Sequence, residues 1–169
     1  MWKLLGAILL ASGCGWIGFQ ASAELGRRVR ALQAMTQGLG LLEQELELDS
    51  PPLPQLMERL AQRSREPART LFQGCGEALE RLEWEDFSQS WRRLVEGLEV
   101  LGEEDAMCLL PLGDTLGRCD WEEQKRVVSG VRHELSQLLL QAQQLRRSQG
   151  RVYQALGLSG GAFFVILLL

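Results

Sequence analysis

Both ends of the chain are apolar and free of charge, whereas the middle is rich in charged residues. Residues 4–23 contain 20 consecutive positions without Asp, Glu, Lys or Arg, and residues 152–169 contain 18 more. About 20 apolar residues in a helix span the roughly 30 Å hydrocarbon core of a bilayer. The pattern predicts transmembrane anchors at 1–23 and 152–169 and a water-soluble domain at 24–151.

The first part of the soluble domain carries an apolar stripe on one helix face, with leucines recurring every seven residues. Its members are Leu25, Val29, Leu32, Met35, Leu39, Leu42 and Leu46. No break signal separates this stripe from the first anchor, so we expect one continuous helix. The prolines at 51, 52 and 54 end it, because proline lacks an amide donor and is disfavoured inside a helix.

Four short amphipathic helices and a second long helix are predicted to follow. Their apolar faces are Leu53, Leu56, Met57 and Leu60; Ala68, Leu71, Phe72, Cys75, Leu79 and Leu82; Phe87, Trp91, Leu94 and Leu98; Leu109, Leu112 and Leu116; and Val128, Val131, Leu135, Leu138, Leu139, Ala142 and Leu145. Isoleucine is absent between residues 24 and 151, and such sparse β-branching favours helices over strands. The sequence therefore predicts an all-α bundle of about six helices, flanked by transmembrane helices.

Charge is unevenly distributed along the soluble domain. Residues 43–123 contain 20 acidic residues and 8 basic ones. An acidic surface repels lipid headgroups and nucleic acid and attracts a basic protein partner. We expect Glu103, Glu104 and Asp105, at the start of the fifth helix, to contact such a partner.

Arginines flank both predicted anchors on the side of the soluble domain. Positive charge beside a membrane helix tends to stay in the cytoplasm, which places the soluble domain there. These arginines also suit anionic lipid headgroups. The set is Arg27, Arg28, Arg30, Arg146, Arg147 and Arg151.

Two other interpretations of the N-terminus stay open. Residues 21–23 read Ala-Ser-Ala, which is typical of a signal-peptide cleavage site, and Cys14 follows small residues as in a lipoprotein signal. Either would make the chain an exported helical lipoprotein or a secreted helical interaction domain. Glycine and alanine in both apolar ends allow close helix packing, within one chain or in a homo-oligomer.

Candidate chemistry is sparse, so the sequence predicts a protein that is not an enzyme. His133 is the single histidine, and the four cysteines form no Cys-x-x-Cys pair, so neither a metal site nor a cofactor is expected. No catalytic residue is predicted. Cys119, near a helix N-terminus, leaves a redox thiol as a further hypothesis.

Two glycines in one short segment need an explanation. Gly117 suits the left-handed position that ends a helix, and Asp120 with Glu123 predicts a capping box for the last helix. Gly113 allows either a close helix approach or backbone exposed to a partner. Together with Asp120 and Gln124, both glycines are candidate partner-binding residues.

The chain resembles the stage III sporulation protein AB family over essentially its whole length. The specific part is the spacing Leu-Gly-x-x-Leu-Gly-x-x-Asp-x-x-x-Gln, formed by Leu112, Gly113, Leu116, Gly117, Asp120 and Gln124. Further similar positions are the Lys-Leu-Leu-Gly-Ala run at 3–7, residues 42–46, Pro52, Leu53, Leu71, Phe72, Trp91 and residues 153–157.

The resemblance implies a membrane component of a secretion-like channel between mother cell and forespore, required for endospore formation. Such proteins look like the cytoplasmic domain of type II secretion and type IV pilus platform proteins. The implied partners are a cytosolic secretion-type ATPase and other membrane proteins of the channel. The bundle would then lie in the mother-cell cytoplasm.

Overall fold

The computed structural model describes the backbone of residues 2–48, 52–80 and 86–168, and the side chains of residues 23–47, 52–80 and 86–148. Within these residues the chain forms six α-helices and no strand, which confirms the all-α prediction. The helices are α1 (Trp2–Leu48), α2 (Leu53–Arg63), α3 (Ala68–Glu80), α4 (Phe87–Glu96), α5 (Glu103–Thr115) and α6 (Trp121–Leu168).

The chain divides into two compact units. One consists of Met1–Arg27 with Gln141–Leu169, and the other is Arg28–Leu140. Among the described residues, no helix combines the length and apolarity needed to cross a membrane. The predicted anchors, 1–23 and 152–169, lie outside the residues with described side chains, apart from Ala23.

The apolar stripe of α1 forms one wall of the core in the second unit. Six of its seven predicted members are buried, and Leu25 is half-buried. Leu48 ends α1, and α2 begins directly after Pro52 with Pro54 in its first turn. Proline is tolerated there because the first amides of a helix have no partner within it. The predicted long helix and its stop are thereby confirmed.

The short helices pack in sequence, α2 on α3, α3 on α4 and α4 on α5. Their buried side chains follow the predicted faces in α2, α3 and α5, while Leu82 of the predicted α3 face lies outside the described residues. In α4 the prediction was wrong at two positions, because Leu94 and Leu98 are half-buried and Val95 points inward instead. Leu94 lies over Gly74 of α3, where an added Cβ would come within 2.6 Å of its Cδ2 atom.

Helix α6 completes the core with Val128, Val131, Leu135 and Leu138, all buried. Of the other predicted members of its apolar face, Ala142 is buried and Leu139 is half-buried, whereas the prediction was wrong at Leu145, which is 47% exposed. Its polar flank pairs with α1 through two ion pairs, Arg132 Nε to Glu43 Oε2 at 2.9 Å and Lys125 Nζ to Glu47 Oε1 at 2.6 Å. The Trp121 indole also donates to the Leu46 carbonyl. Exposed ion pairs contribute little energy, so these contacts mainly set the register of α6 along α1.

Candidate partner-binding surface

The N-terminal end of α5 is held by an ion pair with α1. Asp105 is fully buried, and the Arg28 guanidinium reaches it with two bonds, Nε to Oδ2 at 2.8 Å and Nη2 to Oδ1 at 2.7 Å. Two parallel bonds of this kind fix orientation as well as distance. The sequence had placed Asp105 on the acidic surface with its two neighbours, but its carboxylate lies inside the bundle because Arg28 neutralises it there.

The same carboxylate also caps α5. The Gly102 amide donates to Asp105 Oδ2 at 2.9 Å, which satisfies one backbone donor that the helix leaves free. An added Cβ at Gly102 would lie 3.3 Å from that oxygen and 3.6 Å from Arg28 Cζ, so little room remains beside the pair. The hydrogen bond to Asp105 raises the pKa of Arg28 above its ordinary value.

Arg28 therefore differs from the other arginines that were predicted to flank a membrane. Its side chain is 30% exposed and committed to Asp105. Arg27, Arg30, Arg146 and Arg147 are exposed, whereas the side chain of Arg151 lies outside the described residues.

Gly113 is the point where α5 meets α4. An added Cβ there would lie 2.6 Å from Cδ1 and 2.8 Å from Cγ of Trp91, which is fully buried. The Trp91 indole donates to the Leu109 carbonyl at 2.8 Å, so the ring is fixed in position against α5. Of the two interpretations of Gly113, the structure shows the close helix approach.

The remaining motif residues build the turn between α5 and α6. Gly117 has φ +76°, which confirms the predicted left-handed end of α5. The Asp120 carboxylate accepts the Glu123 amide at 2.8 Å, and the Gln124 amide nitrogen donates to the Cys119 carbonyl at 2.7 Å. The Asp120 half of the predicted capping box is thereby formed, and the Glu123 carboxylate pairs with Arg126 at 2.7 Å.

A groove opens between α5 and α6. Its volume is about 610 Å³, and its lining is Glu103, Glu104, Met107, Cys108, Pro111 and Glu134. Met107 is 58% exposed and adds apolar surface to this groove. The groove thus combines apolar lining residues with three carboxylates.

The Cys108 thiol lines this groove beside Glu134. Burial raises its pKa to about 12, and a hydrogen bond to Glu134 and the charges of Asp105 and Glu104 act in the same direction. A thiol with this pKa is a poor nucleophile at neutral pH, because the thiolate is the reactive form. Burial alone raises the pKa of Cys75 to about 12.

Sequence reasoning found the acids at 103 and 104 but missed Glu134, Met107 and the role of Arg28. Arg28 and Asp105 are 77 residues apart, and no local pattern connects them. The exposure of Met107 could have been predicted from the sequence, because Met107 lies off the apolar stripe of α5 and therefore faces outward.

The described residues hold no arrangement of three or more His, Cys, Asp or Glu side chains that could bind a metal ion. His133 is exposed on α6, and Cys119 is exposed in the turn before α6.

Fold and surface together define an all-helical bundle protein with an acidic, partly apolar groove. A family model described as "Stage III sporulation protein AB" matches residues 3–169. The chain belongs to the stage III sporulation protein AB family, as the sequence resemblance predicted. This is not a known enzyme family.

A solved structure described as "Stage III sporulation protein AB (SpoIIIAB)" has the same fold. It aligns with a TM-score of 0.63 and 21% sequence identity, covering 72% of this chain and 98% of the other. No curated protein sequence matches the chain significantly.

The Trp91 contact predicts that Gly113→Ala destabilises the bundle. The new methyl group must displace a buried ring, and overpacking costs about 1–3 kcal/mol, of which better helix propensity recovers up to about 1 kcal/mol. We expect a net loss of about 1–2 kcal/mol, measured by urea unfolding of the full chain in detergent.

Gly130→Ala is the matched control, because nothing lies within 4 Å of a Cβ added at Gly130 in α6. We expect it to stabilise the protein by up to about 1 kcal/mol. Equal effects of the two substitutions would show that Trp91 does not limit the space at Gly113.

The ion pair at α5 predicts that Asp105→Asn lowers the free energy of unfolding by about 2 kcal/mol. The loss stays below that of a fully buried pair, since Arg28 keeps part of its contact with water. Glu104→Gln removes the same charge from the neighbouring, exposed position and should cost less than about 1 kcal/mol. If thermal unfolding gives equal losses for both, the pair does not hold α5.

Proposed function

We propose that this protein is a non-enzymatic membrane platform or adaptor in a secretion-like channel between mother cell and forespore, required for endospore formation. Membership of the stage III sporulation protein AB family supports the link to sporulation. The apolar, uncharged ends of the sequence and the arginines beside them support two anchors with the bundle on the cytoplasmic, mother-cell side.

The groove between α5 and α6 is the observation that carries the docking part of the proposal. It presents Glu103, Glu104 and Glu134 around an exposed Met107. Complementary charge steers protein association and selects partners, while a central apolar contact supplies much of the affinity. The proposed partner is the cytosolic secretion-type ATPase, and the anchors would join the other membrane proteins of the channel.

Gly113, Gly117, Asp120 and Gln124 support docking indirectly in this proposal. Each has a contact or conformation inside the fold that positions α5 against α4 or α6. Their proposed role is to hold the groove in shape, and Glu103 and Glu104 remain the proposed contacts.

Docking predicts that the double substitution Glu103→Lys with Glu134→Lys weakens capture of the ATPase by the full chain at least about tenfold, because both charges change sign. Glu77→Lys with Glu80→Lys makes the same charge change on exposed positions of α3 and should leave capture within about twofold. Unchanged capture by the groove variant, with folding confirmed by its thermal transition, would reject the acidic contact.

Cytoplasmic placement predicts that Cys119 is shielded from a membrane-impermeant maleimide in intact cells that express the full chain outside sporulation. Cys119 is exposed, whereas Cys75 and Cys108 are buried thiols with pKa values of about 12 and react slowly. Signal lost in Cys119→Ser identifies the site, and permeabilised cells give the positive control. Labelling of Cys119 in intact cells would contradict this placement and support the exported alternative.

A further inference from the structure

The apolar face of α6 continues past the point where the bundle covers it. Leu138, Ala142 and Leu145 follow the i, i+4, i+7 spacing of one helix face. Leu138 and Ala142 are buried, whereas Leu145 is 47% exposed. Arg146 and Arg147 follow directly and are exposed as well. Leu145 therefore presents apolar surface beside two cations, on the part of α6 that leads into the uncharged segment 152–169.

Charge divides between the two compact units of the chain. The unit formed by Met1–Arg27 and Gln141–Leu169 contains five basic residues and one acidic residue. The other unit, Arg28–Leu140, contains 13 basic and 21 acidic residues. No Asp or Glu occurs in the sequence after Glu134. The first unit therefore complements a negatively charged surface, whereas the second is repelled by one.

Position along α6 determines which of its residues come level with lipid headgroups. α6 is one helix from Trp121 to Leu168, and a helix rises about 1.5 Å per residue. Arg146 thus lies about 9 Å before Val152, where the predicted anchor begins, and Leu140 lies about 18 Å before it. The headgroup layer is about 5–8 Å thick on each side of the hydrocarbon core, and the field of anionic lipids decays over about 8–10 Å.

The two arginines are therefore within reach of the headgroups when the predicted anchor at 152–169 spans the bilayer. A guanidinium group donates paired hydrogen bonds to a phosphate, and a long arginine side chain can extend its charge toward the lipid. An apolar side chain beside such arginines gains from contact with the boundary between headgroups and acyl chains. The bilayer is the body that the continuous helix brings to this level, and anionic lipid matches its charge.

We infer that Leu145, Arg146 and Arg147 of α6, with Arg27 of α1, form a binding site for anionic phospholipid headgroups. Arg27 is exposed and belongs to the same compact unit as the other three residues. Arg28 is not part of the site, because its guanidinium is committed to Asp105. The inference rests on the anchoring part of the proposed function and names the class of lipid.

The first arm of the test measures the lipid preference of the full chain in phosphatidylcholine bilayers by electron paramagnetic resonance. Trace amounts of spin-labelled phosphatidylglycerol and phosphatidylcholine are the probes, and the motionally restricted fraction of each gives its relative association constant. We expect phosphatidylglycerol to be preferred at least about threefold at low salt. The preference should fall in about 1 M NaCl, where the screening length is about 3 Å.

Substitutions assign this preference to the site. We expect Arg146→Gln with Arg147→Gln to remove at least about half of the preference for phosphatidylglycerol. Arg65→Gln with Arg69→Gln is the matched control, because it removes two exposed arginines from the other compact unit, and it should leave the preference unchanged. An equal preference in the wild type and the Arg146 and Arg147 variant, with folding confirmed by its thermal transition, would overturn the inference.

The second arm locates Leu145 relative to the lipid. Bimane is attached to Leu145→Cys or Leu140→Cys, each in a chain that carries Cys14→Ser and Cys119→Ser, since Cys75 and Cys108 are buried. We expect lipids with a nitroxide on the headgroup to quench bimane at 145 at least about twice as strongly as at 140, which lies further from the bilayer. Equal quenching would overturn the inference. Crosslinking of position 145 to a second copy without lipid quenching would identify that copy as the occupant and also overturn it.

The outcomes separate this inference from the proposed function. If the lipid preference depends on Arg146 and Arg147 but Cys119 is labelled in intact cells, the lipid site holds and cytoplasmic placement fails. If the ATPase is captured through the α5–α6 groove but the two arginines do not affect the lipid preference, docking holds and the lipid site fails.

Discussion

The partly buried ion pair between Arg28 and Asp105 is the contact on which the rest of the site depends. Three consecutive acids begin α5, where the positive end of the helix dipole favours negative charge. Arg28 pairs with Asp105 inside the bundle, whereas Glu103 and Glu104 stay exposed. The pair also joins α5 to α1, so the exposed acids are presented from a fixed position.

Much of the fold could be predicted because it depends on local patterns. Each of these features depends on residues close together in the sequence: the seven-residue stripe, the prolines after α1 and the apolar faces of the short helices. In α4 the predicted face included Leu94, but Leu94 lies over Gly74 of α3 and Val95 is buried instead. In a helix of only 10 residues, the spacing of apolar residues does not determine whether Leu94 or Val95 points into the core.

The candidate site was harder to predict, because its contacts join distant residues. Gly117 could be assigned from its place after a helix, whereas Gly113 needed the position of Trp91, which is 22 residues earlier in the sequence. The residues of the Leu-Gly motif shape the α4–α5 contact and the turn into α6, and their contact with a partner stays a prediction. The groove beside it depends on Met107, Pro111 and Glu134, residues that no common motif contains.

The central claim is that the helical bundle presents the α5–α6 groove to a protein partner. The most direct measurement places a photo-crosslinking amino acid at position 107 in the full chain and, as a control, at the exposed position 73 in the groove of α2 and α3. In sporulating cells the account predicts a crosslinked adduct from position 107 that contains the secretion-type ATPase, and none from position 73. An ATPase adduct from position 73 alone would contradict the account.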